Sequence, residues 1–263
     1  MGKLDAPVLG KPAHINDVEW QLRVELAACY RVFEWLGWSE NIFNHITVRV
    51  PGPERHFLIN PFGLWYDEVT ASSLVKIDLD GNPVGSTTHM VNHAGFIIHS
   101  AIHAAREDAH CIMHTHTTAG LAIACRREGL GHDDFYGAML IGRVGYHDFE
   151  GVSVHPEEQP RLVASLGQRH VLILRNHGLL VAERDIAHAF ALIWTLQRAC
   201  EVQCAAAAID GYDIPLTDPV REAAKRDALT FDKDGETCRR MFDATVRRME
   251  RERRGPSWID YRG

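Results

Sequence analysis

The stretch HVLILRNHGLLVA, residues 170 to 182, constrains the fold more than any other segment of the chain. Two apolar runs rich in Val, Ile and Leu flank Asn176-His177-Gly178. They are too short for buried helices, so they read as two core strands joined by a tight turn, which forces an antiparallel pair. The turn carries a histidine, with a flexible glycine letting the backbone reverse. An imidazole at the end of a buried hairpin costs free energy unless it has a partner. The rest of the chain must supply that partner.

The remaining segments alternate between helix and strand periodicity. In NDVEWQLRVELAACYRVFEWLG, the residues Leu22, Leu26, Cys29, Phe33 and Leu36 recur at steps of three and four, one face of a helix. Asn16 and Glu19 are placed for a capping box and Gly37 for a stop. HITVRV, HFLINPFG and LVKIDLDGNPV are short β-type runs separated by PGPER and Asp80-Gly81 turns. NHAGFIIHSAIHAAR is helical, HCIMHTH a strand, and TTAGLAIACRREG a helix with Thr117 near its start and Gly129 after its end. GRVGYHDFEGVSV reads as strand and loop, and DIAHAFALIWTLQRACEVQCAAAAI as a long, largely buried helix. Short connections exclude an all-parallel sheet, so the pattern predicts one α/β or α+β domain with a mostly antiparallel sheet covered by helices.

Composition excludes several function classes. The 35 acids exceed the 28 bases in these 263 residues, which gives a net charge of -7 and no basic field for nucleic acid or an anionic membrane. No apolar run approaches the roughly 18 residues of a membrane span, and MGKLDAPVLGKPAH lacks the apolar core of a signal peptide. The expected location is cytoplasmic. The six cysteines show no framework spacing and read as reduced thiols. The 16 histidines are many, and several crowd between His89 and His116. The expected organisation is an N-terminal extension over 1–15, one domain over 16–215, and a C-terminal helix and tail over 216–263 that packs on the domain or on a neighbouring subunit. Trp258 and Tyr261 in that tail leave room for a docking role.

His114 and His116 lie two apart on a strand and therefore project to one face. Taken alone, the pair is as well explained by hydrogen-bonded histidines as by half of a metal site. His177 in the later turn shifts the balance toward a three-histidine centre with open coordination positions.

HTHTTAG, GYHDFEG and RNHGLLVA together resemble the class II aldolase/adducin family, from about Glu19 to Gly211. The resemblance implies an α/β/α three-layer sandwich with a mostly antiparallel central sheet and one divalent metal held by His114, His116 and His177. It also implies a homotetramer with active sites between subunits. Zinc is the leading choice of ion, and manganese, cobalt and Fe(II) also suit three neutral imidazoles.

This chain departs from the sugar-phosphate aldolases of that family. Their acid-base glutamate follows two serines, whereas Asn92-His93-Ala94-Gly95 places a glycine at the glutamate position. A Gly-Asn pair of the phosphate site corresponds to Asn44-His45. A phosphorylated sugar is therefore not the expected substrate, and the adducin-like branch is the better match. His93 is the candidate replacement base, and Tyr136 corresponds loosely to a proton-donating tyrosine contributed by a neighbouring subunit. Asn44, His45 and Thr117 are the candidate substrate-binding residues. His147 and Asp148 are placed to orient a ligand imidazole. His99 and His103, one helical turn apart, are read as helix packing.

The expected function is a metal-dependent carbon-carbon lyase of aldolase or decarboxylase type, acting on a small non-phosphorylated hydroxy or oxo acid. An iron-dependent oxygenase on the same scaffold and a non-catalytic interaction module like the adducin head are the alternatives.

Overall fold

The structure is a computed structural model that describes residues 10–151, 155–211, 214–253 and 260–263, without the side chains of residues 93–95. Helix α1 (Asp17–Leu36) starts where the Asn16 side chain accepts the Glu19 N–H at 2.8 Å, and ends at Gly37 in the left-handed region. The expected capping box is half made. The Glu19 carboxylate turns away to accept from Arg23 and Lys76, both at 2.9 Å. Glu19 and Arg23 are buried, so that ionic partnership outweighs the local cap.

Strands β1 (Ile46–Arg49), β2 (Phe57–Ile59) and β3 (Val75–Ile77) form an antiparallel meander. Helix α2 (His93–Ala105) leads to β4 (Cys111–Thr115), and α3 (Thr118–Ala124) and α4 (Phe135–Ala138) follow. Then come β5 (Val144–His147), α5 (Gln159–Leu166), β6 (Val171–Leu174), β7 (Gly178–Glu183) and α6 (Ile186–Ala206). The chain closes with α7 (Asp218–Thr230) and α8 (Glu236–Glu252). The seven strands form one sheet in the order β3-β2-β1-β4-β7-β6-β5.

The sheet is mixed, which corrects the expected topology. β5 pairs with β6 in parallel, Val144 opposite Val171 and His147 opposite Leu174. A parallel neighbour requires a crossover, and α5 provides it. The strand expected in GRVGYHDFEGVSV is β5, but the crossover helix that makes its pairing parallel begins only at Gln159.

Strand alternation sends side chains to two apolar layers. Cys111, Met113, Ile173, Leu179 and Val181 pack with α1, α6 and α8, while Ile112, Leu172, Leu180 and Ala182 pack with α2 and α5. Fully buried Phe190 and Leu196 anchor α6 to the first layer. Burying each such side chain stabilises the fold by about 1.5–3 kcal/mol. Tyr261 is buried against α1, with its hydroxyl donating to Glu250 at 2.6 Å, so it is not available for docking elsewhere. Trp258 lies outside the described residues. Cys125 is exposed and Cys204 half-buried, while the other four thiols are buried.

Candidate metal centre

β4 and β7 are adjacent and antiparallel, with His114 opposite Leu180 and Thr115 opposite Leu179. That register brings the end of β4, carrying His114 and His116, beside the start of β7, immediately after His177. Of the turn residues, Asn176 adopts the left-handed conformation, at φ 57°. Gly178 is the first residue of β7, and its role is space rather than flexibility. A Cβ there would lie 2.4 Å from the Thr115 carbonyl oxygen, 2.9 Å from His116 Cδ2 and 3.3 Å from His114 Cε1. No side chain fits between the two strands at this point.

The three imidazoles converge. Their ring centroids are 4.6 Å apart for His114 and His116 and 4.9 Å for each of these with His177. One ring nitrogen from each lies within 4.8 Å of the others, and the Nε2 atoms of His114 and His116 are 2.8 Å apart. His114 Nδ1 lies 2.9 Å from the Leu179 carbonyl oxygen. A carbonyl only accepts, so Nδ1 carries the proton and Nε2 keeps its lone pair facing the other two rings. The ring is thereby fixed as a ligand by a backbone group. Burial holds the His114 imidazole well below its ordinary pKa, lowers that of His116, and pushes His177 down to about 4. All three rings are neutral at pH 7, the form that ligates.

Around the three rings the expected residues are distributed unevenly. The His45 ring lies tilted 4.0 Å from His99 and edge-on 6.3 Å from His114, centroid to centroid. Asn44 is buried at φ 65°, and among the described residues neither its amide nitrogen nor its oxygen has a hydrogen-bond partner. His93 opens α2, but its side chain lies outside the described residues. Thr117 caps α3: its hydroxyl accepts the Gly120 N–H and donates to Gln197 Oε1 at 2.6 Å. With its proton committed and one lone pair used, Thr117 is foremost a structural residue. Tyr136 sits on α4 with the Arg198 guanidinium 5.7 Å from its ring centroid, and Arg198 joins Glu201 and, through it, Gln197. A polar chain therefore runs from Thr117 to Arg198, beside Tyr136.

His147 and Asp148 do not hydrogen-bond a ligand ring. His147 Nδ1 meets Ser165 and its Nε2 meets the buried carboxylate of Glu158, each at 3.1 Å, whereas Asp148 is exposed beside Arg175. Glu158 and His147 both act electrostatically on His177. Glu158 went unnoticed in the sequence because an acidic residue in HPEEQP looks like a solvated turn. His99 and His103 share the Thr47 hydroxyl, each at 2.7 Å, as packing residues of α2.

A mixed seven-stranded sheet between helical layers, with three converging imidazoles where the end of β4 meets the start of β7, defines an aldolase-type α/β protein. The model of the class II aldolase and adducin N-terminal domain matches residues 24–204, and the chain belongs to that family. Alpha-adducin of Rattus norvegicus is 48% identical over 209 residues, covering 78% of this chain and 28% of that longer protein. The crystal structure of an aldolase II superfamily protein from Pseudomonas syringae superposes with a TM-score of 0.87 at 41% identity, covering 95% of this chain and 98% of that one. An L-fuculose 1-phosphate aldolase from Glaciozyma antarctica PI12 superposes with a TM-score of 0.78 at 30% identity, covering 92% and 96%. Metal-dependent lyases are among the family's members.

Proposed function

We propose that this protein is a divalent-metal-dependent carbon-carbon lyase, of aldolase or decarboxylase type, acting on a small non-phosphorylated hydroxy or oxo acid. The observation that carries the reading is the fixed tautomer of His114 facing His116 and His177. Three neutral nitrogen donors with no carboxylate among them fit one zinc-class ion with positions left open for substrate. A divalent ion held there polarises a carbonyl or hydroxyl oxygen and stabilises negative charge that develops on it.

This chain's own residues divide the remaining work. Asn44 offers a buried donor and acceptor for substrate oxygens, and His45 lines the same side near His114. Gly95 at the family's glutamate position removes the usual base, which favours loss of carbon dioxide over abstraction of a carbon-bound proton. His93 and Tyr136 are the proposed proton carriers, with Tyr136 serving a neighbouring subunit of a homotetramer. Glu158 holds His147 and sets the negative potential behind His177.

Anaerobic turnover of a panel of hydroxy and oxo acids, with and without added zinc, manganese or cobalt, tests the assignment. Metal-dependent carbon-carbon cleavage supports it. Turnover that requires oxygen and Fe(II) would instead assign an oxygenase. The alpha-adducin similarity favours a second reading, a non-catalytic interaction module, which predicts a protein that binds metal without any turnover.

A further inference from the structure

The far end of β7 carries a second group of metal-ligating atoms. His188 in the first turn of α6, Asp232 between α7 and α8, and Cys238 in the first turn of α8 each bring a ligand atom within 4.8 Å of the others. They line a cavity of about 380 Å³. The side chains of His188 and Asp232 are 13% and 10% exposed, and Cys238 is buried. Among the described residues, only this group and the three histidines bring metal-ligating side chains together in this way.

The hydrogen bonding of His188 points to a cation. Its Nδ1 lies 2.7 and 2.9 Å from the two carboxylate oxygens of Asp185, which can only accept, so Nδ1 carries the proton. Its Nε2 lies 2.5 Å from Arg184 Nη2, which can only donate, so Nε2 carries the lone pair. The Asp185 contact places the proton on Nδ1, and the Arg184 contact selects the neutral ring with a free Nε2 lone pair. Yet Nε2 also faces Asp232 Oδ2 at 3.2 Å, acceptor against acceptor. Such a pair is held together by positive charge beside it, which the guanidinium of Arg184 supplies. A compact divalent ion would satisfy both acceptors and gain the sulfur of Cys238 as a third.

The surroundings are organised for this. Asp185 behind His188 is the carboxylate-histidine arrangement that fixes and strengthens a metal-bound imidazole. Asp232 is itself held by the backbone N–H groups of Thr237 and Cys238 at 2.8 and 3.0 Å. Gly235, at φ 73°, lets the loop close over the cluster; a Cβ there would lie 3.2 Å from Arg184 Nη2 and 3.5 Å from His188 Cε1.

We infer that His188, Asp232 and Cys238 form a second divalent-cation site, for zinc, separate from the three-histidine centre. Mixed imidazole, carboxylate and thiolate donors suit that ion. Binding releases the Cys238 thiol proton to solvent and moves the Arg184 side chain outward. The bound ion ties α6 to α8 and leaves a fourth position for water.

Cobalt substitution tests this apart from the lyase reading, because the three-histidine centre contains no sulfur. The full-length protein loaded with Co(II) should show sulfur-to-cobalt charge-transfer absorption in the near ultraviolet. Cys238→Ser should abolish the band and lower the metal content by one equivalent per chain, while His177→Ala should keep the band. Should Cys238→Ser fail to fold, His188→Gln provides the same comparison with the thiol intact, through a weakened or absent band. No such band in the cobalt-loaded wild type, or a band that survives Cys238→Ser, overturns the site.

Discussion

His114 donates its Nδ1–H to the backbone carbonyl of Leu179, the β7 residue next to its ladder partner Leu180. The strand pairing that builds the sheet thus also sets the tautomer of a candidate ligand. Since one register serves both, damage to the β4/β7 pairing should appear as lost metal affinity.

Gly178→Ala is the sharpest test of that coupling. A methyl group 2.4 Å from the Thr115 carbonyl must push β7 away from β4. We expect a loss of stability of about 1–3 kcal/mol, as for overpacked sites generally, with weaker metal binding as well. Urea denaturation and chelator competition on the same preparation measure the two effects.

Glu158→Gln should weaken metal binding with little effect on the fold. Removing the carboxylate that acts on His177 and holds His147 takes negative potential away from the cation. Because Glu158 touches no ligand ring, the loss should fall below the roughly 10–100-fold that a directly hydrogen-bonded partner of a ligand is worth. Competition with a chelator of known affinity measures the change; unchanged affinity would remove Glu158 from the account.

Thr117→Val separates a cap from a substrate contact. Losing the hydroxyl that receives the Gly120 N–H and donates to Gln197 should cost about 1 kcal/mol. The Michaelis constant should stay the same, and Thr117→Ser should restore stability. A raised Michaelis constant at unchanged stability would return Thr117 to the substrate site.

Acid should destabilise the metal-free protein. Burial pushes the His103 imidazole down to about 3, against an ordinary value near 6.5. Between those values the unfolded chain holds a proton that the folded chain lacks, so stability falls as pH drops below 6.5, by about 1.36 kcal/mol per pH unit for this group. His99 and His114 act in the same sense. Chemical denaturation from pH 8 to 5 should show the slope, and His103→Gln should reduce it by one proton's share.

The three histidines were legible in the sequence because each sits beside a strong local signal. The β4 alternation places His114 and His116 on one side, and two apolar runs bracket His177. α1 was legible through its periodicity and its Asn16 cap, and α6 through its apolar periodicity. What escaped depends on distant contacts. The parallel β5/β6 pair needs α5, whose eight residues give too short a pattern to stand out. Gly178 reads as a turn residue until Thr115 is placed against it, and Glu158 reads as solvated until His147 covers it. The orienting group of His114 is a main-chain carbonyl, which no side-chain motif encodes.

Anomalous diffraction from crystals grown with zinc, collected at the zinc absorption edge, tests the central claim most directly. The account predicts a peak about 2.0–2.1 Å from one ring nitrogen of each of His114, His116 and His177. A fully loaded crystal with no density among those three rings would contradict it.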